Sequence, residues 1–133
     1  MTAHIAIIED NQANLELVKF LLECSGYLVS VARDGVQGVE LVFRVRPDLV
    51  ICDLQMPAMD GYQVLSQLRA TPDVAPIPVI AVTAFSMPND RHKVLTAGFD
   101  GYISKPIDPA TFVGQVGAFL PAGLRRSLPA SPG

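Results

Sequence analysis

Five side chains of complementary chemistry occur at four separate points of the sequence: Glu9 with Asp10, then Asp53, Thr83 and Lys105. Each point directly follows a short, largely apolar run. Three carboxylates that lie together repel one another unless a cation sits among them, and such hard oxygen ligands suit Mg²⁺ with phosphate as a co-ligand. A lysine can neutralise added phosphate charge, and a hydroxyl can donate to a phosphate oxygen. Together they predict a magnesium-assisted phosphate site, whereas one such residue alone would indicate only turn capping.

The short runs before these residues predict strands buried on both faces of a parallel sheet. Stretches with helical spacing of apolar residues alternate with them, which predicts five strand–helix units with helices on both faces of the sheet. The carboxyl ends of parallel strands share one edge, where open α/β sheets place their ligand sites. The predicted strands are residues 4–8, 27–31, 49–52, 77–82 and 101–104.

The first predicted helix follows Asn11, a residue type that caps helices. Its helical spacing predicts a core stripe, with two further apolar residues at the partly exposed margins. The predicted stripe is Leu17, Val18, Leu21 and Leu22, and the marginal residues are Leu15 and Phe20.

The later helices carry weaker signals. The second, from Asp34-Gly35 to Arg44, contains Gly38, which costs up to about 1 kcal/mol relative to alanine. Its predicted apolar set is Val36, Val39, Leu41, Val42 and Phe43. The third is predicted over residues 62–69, and the last begins after Asp108. The fourth, residues 88–97, has a thin apolar stripe of Val94 and Leu95, which predicts a mobile element.

The composition predicts one small domain that contains no nucleic-acid or membrane-spanning element. The chain has 133 residues, 50% of them hydrophobic, and a formal net charge of -3 without a long basic run. No apolar run approaches membrane-spanning length. Cys24 and Cys52 form no CxxC motif, so we expect two small core residues in a reducing, cytoplasmic compartment. We expect the globular domain to cover residues 1–121 and residues 122–133 to form a disordered tail.

These motifs together resemble the receiver domains of two-component response regulators. The resemblance covers about residues 4–120 and rests on five segments. It implies the flavodoxin-like (βα)5 sandwich with strand order 2-1-3-4-5. Asn11, Asn14 and the region of Tyr102 to Asp108 look most similar to single-domain regulators and to receivers of hybrid histidine kinases. The five segments are IAIIEDN at residues 5–11, PDLVICD at 47–53, MPAMDG at 56–61, PVIAVTA at 78–84 and YISKP at 102–106.

The resemblance also implies a role for each matching residue. Asp53 would accept a phosphoryl group from a histidine kinase or a histidine phosphotransfer protein, as a carboxylate nucleophile. Lys105 would pair with that group, Thr83 would bind it, and Tyr102 would be the aromatic switch residue. The expected Mg²⁺ ligands are Glu9, Asp10, Asp53 and the backbone carbonyl of Gln55. The other matching positions are Ala84, Phe85, which would shield the phosphoryl group from water, and Pro106, which would follow a cis peptide bond.

Several readings compete with a phosphorylated receiver. Phosphatases similar to the haloacid dehalogenases need a second Asp where this chain has Gln55. A flavodoxin-like mononucleotide binder would need a phosphate-cradling loop, but Glu9-Asp10-Asn11 is acidic. A receiver that only binds proteins, independently of phosphorylation, remains an alternative. We expect a signalling switch, not an enzyme, that stands alone as a single domain, although a receiver excised from a hybrid kinase is a further alternative.

The resemblance further implies two protein-binding surfaces. The downstream partner would bind the face of the fourth helix, fifth strand and fifth helix, with Met87, Arg91 and Val94 beside Tyr102. The phosphodonor protein would bind the first helix through Asn14, Leu15 and Leu17. We expect a monomer or weak dimer, with neither nucleic acid nor membrane as a partner.

Overall fold

The computed structural model describes residues 2–84 and 88–120, and these residues form a central sheet with helices on both faces. The predicted alternation is confirmed, as is the parallel strand order β2-β1-β3-β4-β5. The elements in chain order are β1 (His4–Ile8), α1 (Gln12–Cys24), β2 (Leu28–Ala32), α2 (Gly35–Val45), β3 (Leu49–Asp53), α3 (Gly61–Ala70), β4 (Val79–Thr83), α4 (Pro88–Ala97), β5 (Gly101–Ser104) and α5 (Phe112–Gly117).

Two apolar layers hold the helices on the sheet, because alternate strand residues point to opposite faces. On one face, Ile5 and Ile7 of β1 pack with α1 and α5. On the other face, Ala6 and Ile8 pack with α2 and α3, and α4 joins them through Val94. The three central strands are therefore covered on both sides, which explains their near-continuous apolar sequences.

Side-chain caps set the beginnings of three helices. Asn11 accepts a hydrogen bond from the backbone N–H of Asn14, as predicted for α1. At α2, the Asp34 side chain accepts a hydrogen bond from the backbone N–H of Gln37. At α3, Asp60 and Gln63 form a reciprocal capping box. The prediction for α5 was wrong, because the helix begins at Phe112 and the Asp108 side chain caps only the preceding turn.

Packing on α1 differs from the prediction. Leu15 is only 5% exposed, whereas Leu17 is half-buried, the reverse of what was expected. The other three residues of the predicted stripe, Val18, Leu21 and Leu22, are buried as predicted, so the stripe differs only in that Leu15 takes the buried position expected for Leu17. Cys24, expected in the core, is exposed at the end of the helix, while Cys52 is buried as predicted.

Packing on α2 and α4 is also narrower than predicted. Val36 and Phe43 of α2 are exposed, because only the side of the helix against β1, β2 and α3 is covered. On α4, Val94 is fully buried but Leu95 is 43% exposed. Among the α4 side chains that the structure describes, residues 90–97, Val94 is the one buried aliphatic residue, which confirms the thin stripe. The Lys93 ammonium nitrogen adds a contact 5.2 Å from the centre of the Tyr62 ring of α3.

Gly38 has a packing reason that its helix propensity does not reveal. A Cβ atom at this position would lie 2.6 Å from Cδ1 of Ile8 and 2.8 Å from each of its two γ carbons. Helix α2 therefore approaches β1 more closely than any residue with a side chain would allow. The expected local cost of this glycine is offset by the contact it permits.

Some of the predictions concern residues that the structure does not describe. Residues 85–87 and 121–133 lie outside the described part of the chain, and with them Phe85, Met87 and the predicted tail. Within the described part, no helix combines the length and apolar character required to cross a bilayer.

Candidate functional site

The register of the sheet brings the predicted site residues together at one edge. Ile8 of β1 lies opposite Cys52 of β3, so the residues that follow them, Glu9 and Asp53, lie side by side at the carboxyl ends of the two strands. Thr83 pairs with Ser104 on the other side, and its carbonyl accepts a hydrogen bond from the Lys105 N–H at 2.8 Å. Residues separated by almost one hundred positions therefore meet where the strands end.

Lys105 joins two of the carboxylates. Its Nζ lies 3.2 Å from Oε1 of Glu9 and 3.3 Å from Oδ2 of Asp53. Burial opposes the charged form of Lys105, but the charges of Glu9 and Asp53 outweigh it and raise the pKa of the ammonium group. The peptide bond between Lys105 and Pro106 is cis, as predicted.

The carboxylates carry more negative charge than Lys105 alone can balance. Asp53 is 2% exposed and Glu9 is 4% exposed. Burial raises the pKa of Glu9 to about 7, and a hydrogen bond and the charge of Asp53 contribute to the rise. Asp10 is half-buried beside them, and one oxygen of each of the three residues lies within 4.8 Å of the others. This crowded set of hard oxygen donors fits a divalent cation such as Mg²⁺.

Gln55 contacts both ends of the site. Its backbone N–H donates to Oδ1 of Asp53 at 3.1 Å, and its side-chain Nε2 donates to Oγ1 of Thr83 at 3.0 Å. Thr83 is fully buried, and Ala84 after it is exposed. The side-chain contact was not predicted, because no sequence pattern reports where a flexible side chain in a loop points.

Tyr102 lies between the site and the surface. It is half-buried and packs against the layer formed by α2, α3 and α4. Tyr102 also lines a groove of about 870 Å³ together with Arg91 and Leu95 of α4 and Gln115 of α5. The prediction that Val94 lines this face was wrong, since Val94 points into the core and Leu95 is the exposed neighbour.

On α1, the surface next to the acidic edge also differs from the prediction. Leu15 is buried and cannot meet a partner, because α1 turns this side chain toward the sheet. Asn14 and Leu17 are half-buried and keep a partly accessible surface there.

The chain matches the response regulator receiver domain family over residues 5–116. The polar-differentiation response regulator DivK of Brucella ovis is 38% identical over 120 residues, which cover 90% of this chain and 98% of DivK.

Two solved structures of receiver domains are also similar to this chain. The receiver domain of a signal transduction histidine kinase from Syntrophus aciditrophicus has a TM-score of 0.82 and 36% identity, covering 95% of each chain. The receiver domain of sensor histidine kinase PA1611 from Pseudomonas aeruginosa was solved with a magnesium ion coordinated in its active-site cleft. It has a TM-score of 0.81 and 31% identity, covering 90% of this chain and 98% of that one. On this evidence the chain belongs to the family of response regulator receiver domains.

Proposed function

We propose that this protein is a phosphorylation-dependent signalling switch whose phosphoacceptor is Asp53. The observation that carries the proposal is a nearly fully buried carboxylate at the sheet edge that contacts the Lys105 ammonium group at 3.3 Å. An oxygen of Asp53 would form a bond to the phosphorus of a phosphohistidine as the donor's P–N bond breaks, giving an acyl phosphate. Lys105 would neutralise part of the added charge.

We propose that Glu9, Asp10, Asp53 and the backbone carbonyl of Gln55 hold Mg²⁺. The crowding of three carboxylates around one ammonium group supports this assignment, and the pKa of Glu9, raised by burial and then by Asp53, is in keeping with it. When bound, the ion would offset the negative charge shared by the carboxylates and the incoming phosphoryl group.

The switch would combine Thr83 and Tyr102. A phosphoryl group on Asp53 gives the Thr83 hydroxyl a new charged acceptor, so Thr83 moves toward it and leaves room for the Tyr102 ring to turn inward. The half-buried position of Tyr102 and the thin buried stripe of α4, which over the described side chains of residues 90–97 is Val94, support an easily shifted region. The phosphoryl group biases the two conformations only by its differential affinity for them.

The downstream protein would bind the groove between α4, β5 and α5, where Tyr102 responds to phosphorylation. The groove has an exposed apolar residue, Leu95, beside the cationic Arg91. The phosphodonor, a histidine kinase or histidine phosphotransfer protein, would dock on α1 near Asn14 and Leu17, because it must reach Asp53. Loss of downstream binding in Leu95→Glu, with phosphotransfer intact, would separate the two surfaces.

A stand-alone regulator is the proposed form, acting as a monomer or weak dimer in the cytoplasm. The match over 98% of DivK's length supports a single-domain regulator. Receiver domains of histidine kinases are similar as well, so the excised-receiver alternative stays under test. The protein assists its own phosphorylation and dephosphorylation and is not proposed to act on another substrate.

Intact-protein mass spectrometry tests the phosphoacceptor. Acetyl phosphate with Mg²⁺ should add one phosphoryl group to the wild type, and chelation of the metal or Asp53→Asn should prevent it. Asp73→Asn is the matched control, because Asp73 forms only an exposed ion pair with Arg46. Full labelling of the Asp53→Asn variant would contradict the assignment.

A further inference from the structure

Thr83 is held by Gln55 in the unphosphorylated protein. Oγ1 of Thr83 accepts a hydrogen bond from Nε2 of Gln55 at 3.0 Å, and Thr83 is fully buried. The backbone of Gln55 is in turn fixed by its N–H bond to Oδ1 of Asp53. A single residue therefore connects the phosphoacceptor to the hydroxyl that has to respond to phosphorylation.

A small cavity offers Gln55 another position. It measures about 270 Å³ and is lined by Leu54, Gln55, Thr83 and residues of α3 and α4, among them Tyr62 and Val94. Because one water occupies about 30 Å³ of liquid volume, the cavity exceeds the needs of a single water several times over. Gln55 is itself exposed, so its side chain can leave Thr83 for this cavity without displacing packed atoms.

We propose that Gln55 is a positioning residue that restrains Thr83 in the unphosphorylated conformation and thereby weakens the response to a phosphoryl group. This inference rests on the proposed function of Asp53 and Thr83. Movement of Thr83 toward Asp53 breaks or stretches its bond to Gln55, and the freed amide enters the cavity. One hydrogen bond between neutral groups changes an equilibrium by a factor of about two to ten. Removal of the Gln55 amide should therefore favour the phosphorylated conformation by a factor in this range.

The affinity for beryllofluoride with Mg²⁺, a stable phosphoryl mimic, is the decisive measurement. We expect Gln55→Leu to lower the Kd about two- to tenfold, because leucine has a similar side-chain size and removes the donor. The control is Gln67→Leu, an exposed glutamine on α3, which should leave the Kd unchanged. A binding measurement is preferred to phosphoryl lifetime, since lifetime would also change if Gln55 only oriented the attacking water.

Two further readouts separate a restraint on Thr83 from general loosening. In the Thr83→Ala background, Gln55→Leu should no longer change the Kd, because the bond it removes is already absent. In the ligand-free Gln55→Leu variant, the NMR resonance of the Thr83 amide should be shifted from its position in the ligand-free wild type toward its position in the beryllofluoride-bound wild type. General loosening would weaken binding in both backgrounds.

The outcomes distinguish this inference from the proposed function. If wild type binds no beryllofluoride, the proposed function itself fails. If wild type binds it but Gln55→Leu binds equally or more weakly, the restraint is refuted while the phosphoacceptor assignment stands. Tightening that persists in the Thr83→Ala background would also overturn the inference, because Gln55 would then act through another contact.

Discussion

Gly38→Ala is the substitution for which local helix propensity and tertiary packing predict opposite signs. Alanine is favoured over glycine inside a helix by about 1 kcal/mol, so α2 considered alone predicts stabilisation. The folded protein predicts the reverse, because the new Cβ would lie 2.6 to 2.8 Å from three carbons of the Ile8 side chain. Ile8 is fully buried in β1, so it can make room only by shifting within the packed core.

The net effect can be worked out from these contacts. Rotation of Ile8 would exchange one short contact for another, since both γ carbons as well as Cδ1 are involved. Adding a methyl group to a packed core costs about 1–3 kcal/mol. Subtracting the gain of about 1 kcal/mol in helix propensity leaves a loss of about 0–2 kcal/mol in the free energy of unfolding, with about 1 kcal/mol at the middle of that range. For a domain of this size the melting temperature should fall by about 5 °C.

Urea and thermal unfolding followed by circular dichroism measure this loss, and α5 provides the matched control. A Cβ at Gly114 would meet nothing within 4 Å, so Gly114→Ala should stabilise the protein by about 0.5 kcal/mol from helix propensity. Ile8→Ala removes all three carbons that the new Cβ would meet, and the double variant with Gly38→Ala should show favourable coupling of about 1 kcal/mol.

The refuting result is a Gly38→Ala variant that is as stable as Gly114→Ala, or more stable than wild type. The close approach of α2 to β1 would then not depend on the missing side chain. Absence of coupling with Ile8→Ala would remove the steric explanation even if Gly38→Ala were destabilised.

Three other predictions follow from the site and the loops. Since the folded protein holds the pKa of Glu9 at about 7 against an ordinary 4.5, the protonated form stabilises the fold below pH 4.5, and this contribution is lost as pH rises toward 7. In EDTA, the free energy of unfolding of the wild type should therefore fall by up to about 3 kcal/mol more than that of Glu9→Gln between pH 4.5 and 7. Equal dependence of the free energy of unfolding on pH in the two proteins would contradict the raised pKa. Mg²⁺ at about one hundred times its Kd should add about 2.7 kcal/mol to the free energy of unfolding, and this gain should be smaller in Asp53→Asn. An equal gain in that variant would show that Asp53 is not a ligand of the ion. Arg69→Met should lower the free energy of unfolding in urea by about 2–4 kcal/mol, because the guanidinium group donates hydrogen bonds to three backbone carbonyls and to Asp100. Arg46→Met is the control and should cost less than about 1 kcal/mol, because Arg46 forms an exposed ion pair. Similar losses in both arginine variants would refute the bridging role.

The site could be predicted from the sequence because its geometry follows from strand ends. A parallel sheet brings the residues after its strands to one edge whatever the details of helix packing, so Glu9, Asp53 and Lys105 had to lie close together once the strands were recognised. The same argument gave the fold class, since apolar runs and helical stripes alternate along the chain.

Helix faces were predicted less well, for a physical reason. Helical spacing gives the direction of an apolar stripe, but the flanking elements decide which margin is covered. On α1, Leu15 is buried in the cluster that also contains residues of β1, β3 and α5, whereas Leu17 is left half-exposed. On α4, Val94 is buried and Leu95 faces the groove, so the exposed residue of the proposed partner surface could be identified only in the folded protein.

The sequence by itself determined which carboxylates, hydroxyl and ammonium group are available for the proposed phosphoryl chemistry and which sheet edge carries them. Only the tertiary structure decided how they are coupled. The Gln55 amide reaches Thr83 because a flexible loop side chain meets a neighbouring strand, and Gly38 is required because α2 presses on Ile8. Both are contacts between residues about thirty positions apart, which depend on the distance and angle between packed elements rather than on any local pattern.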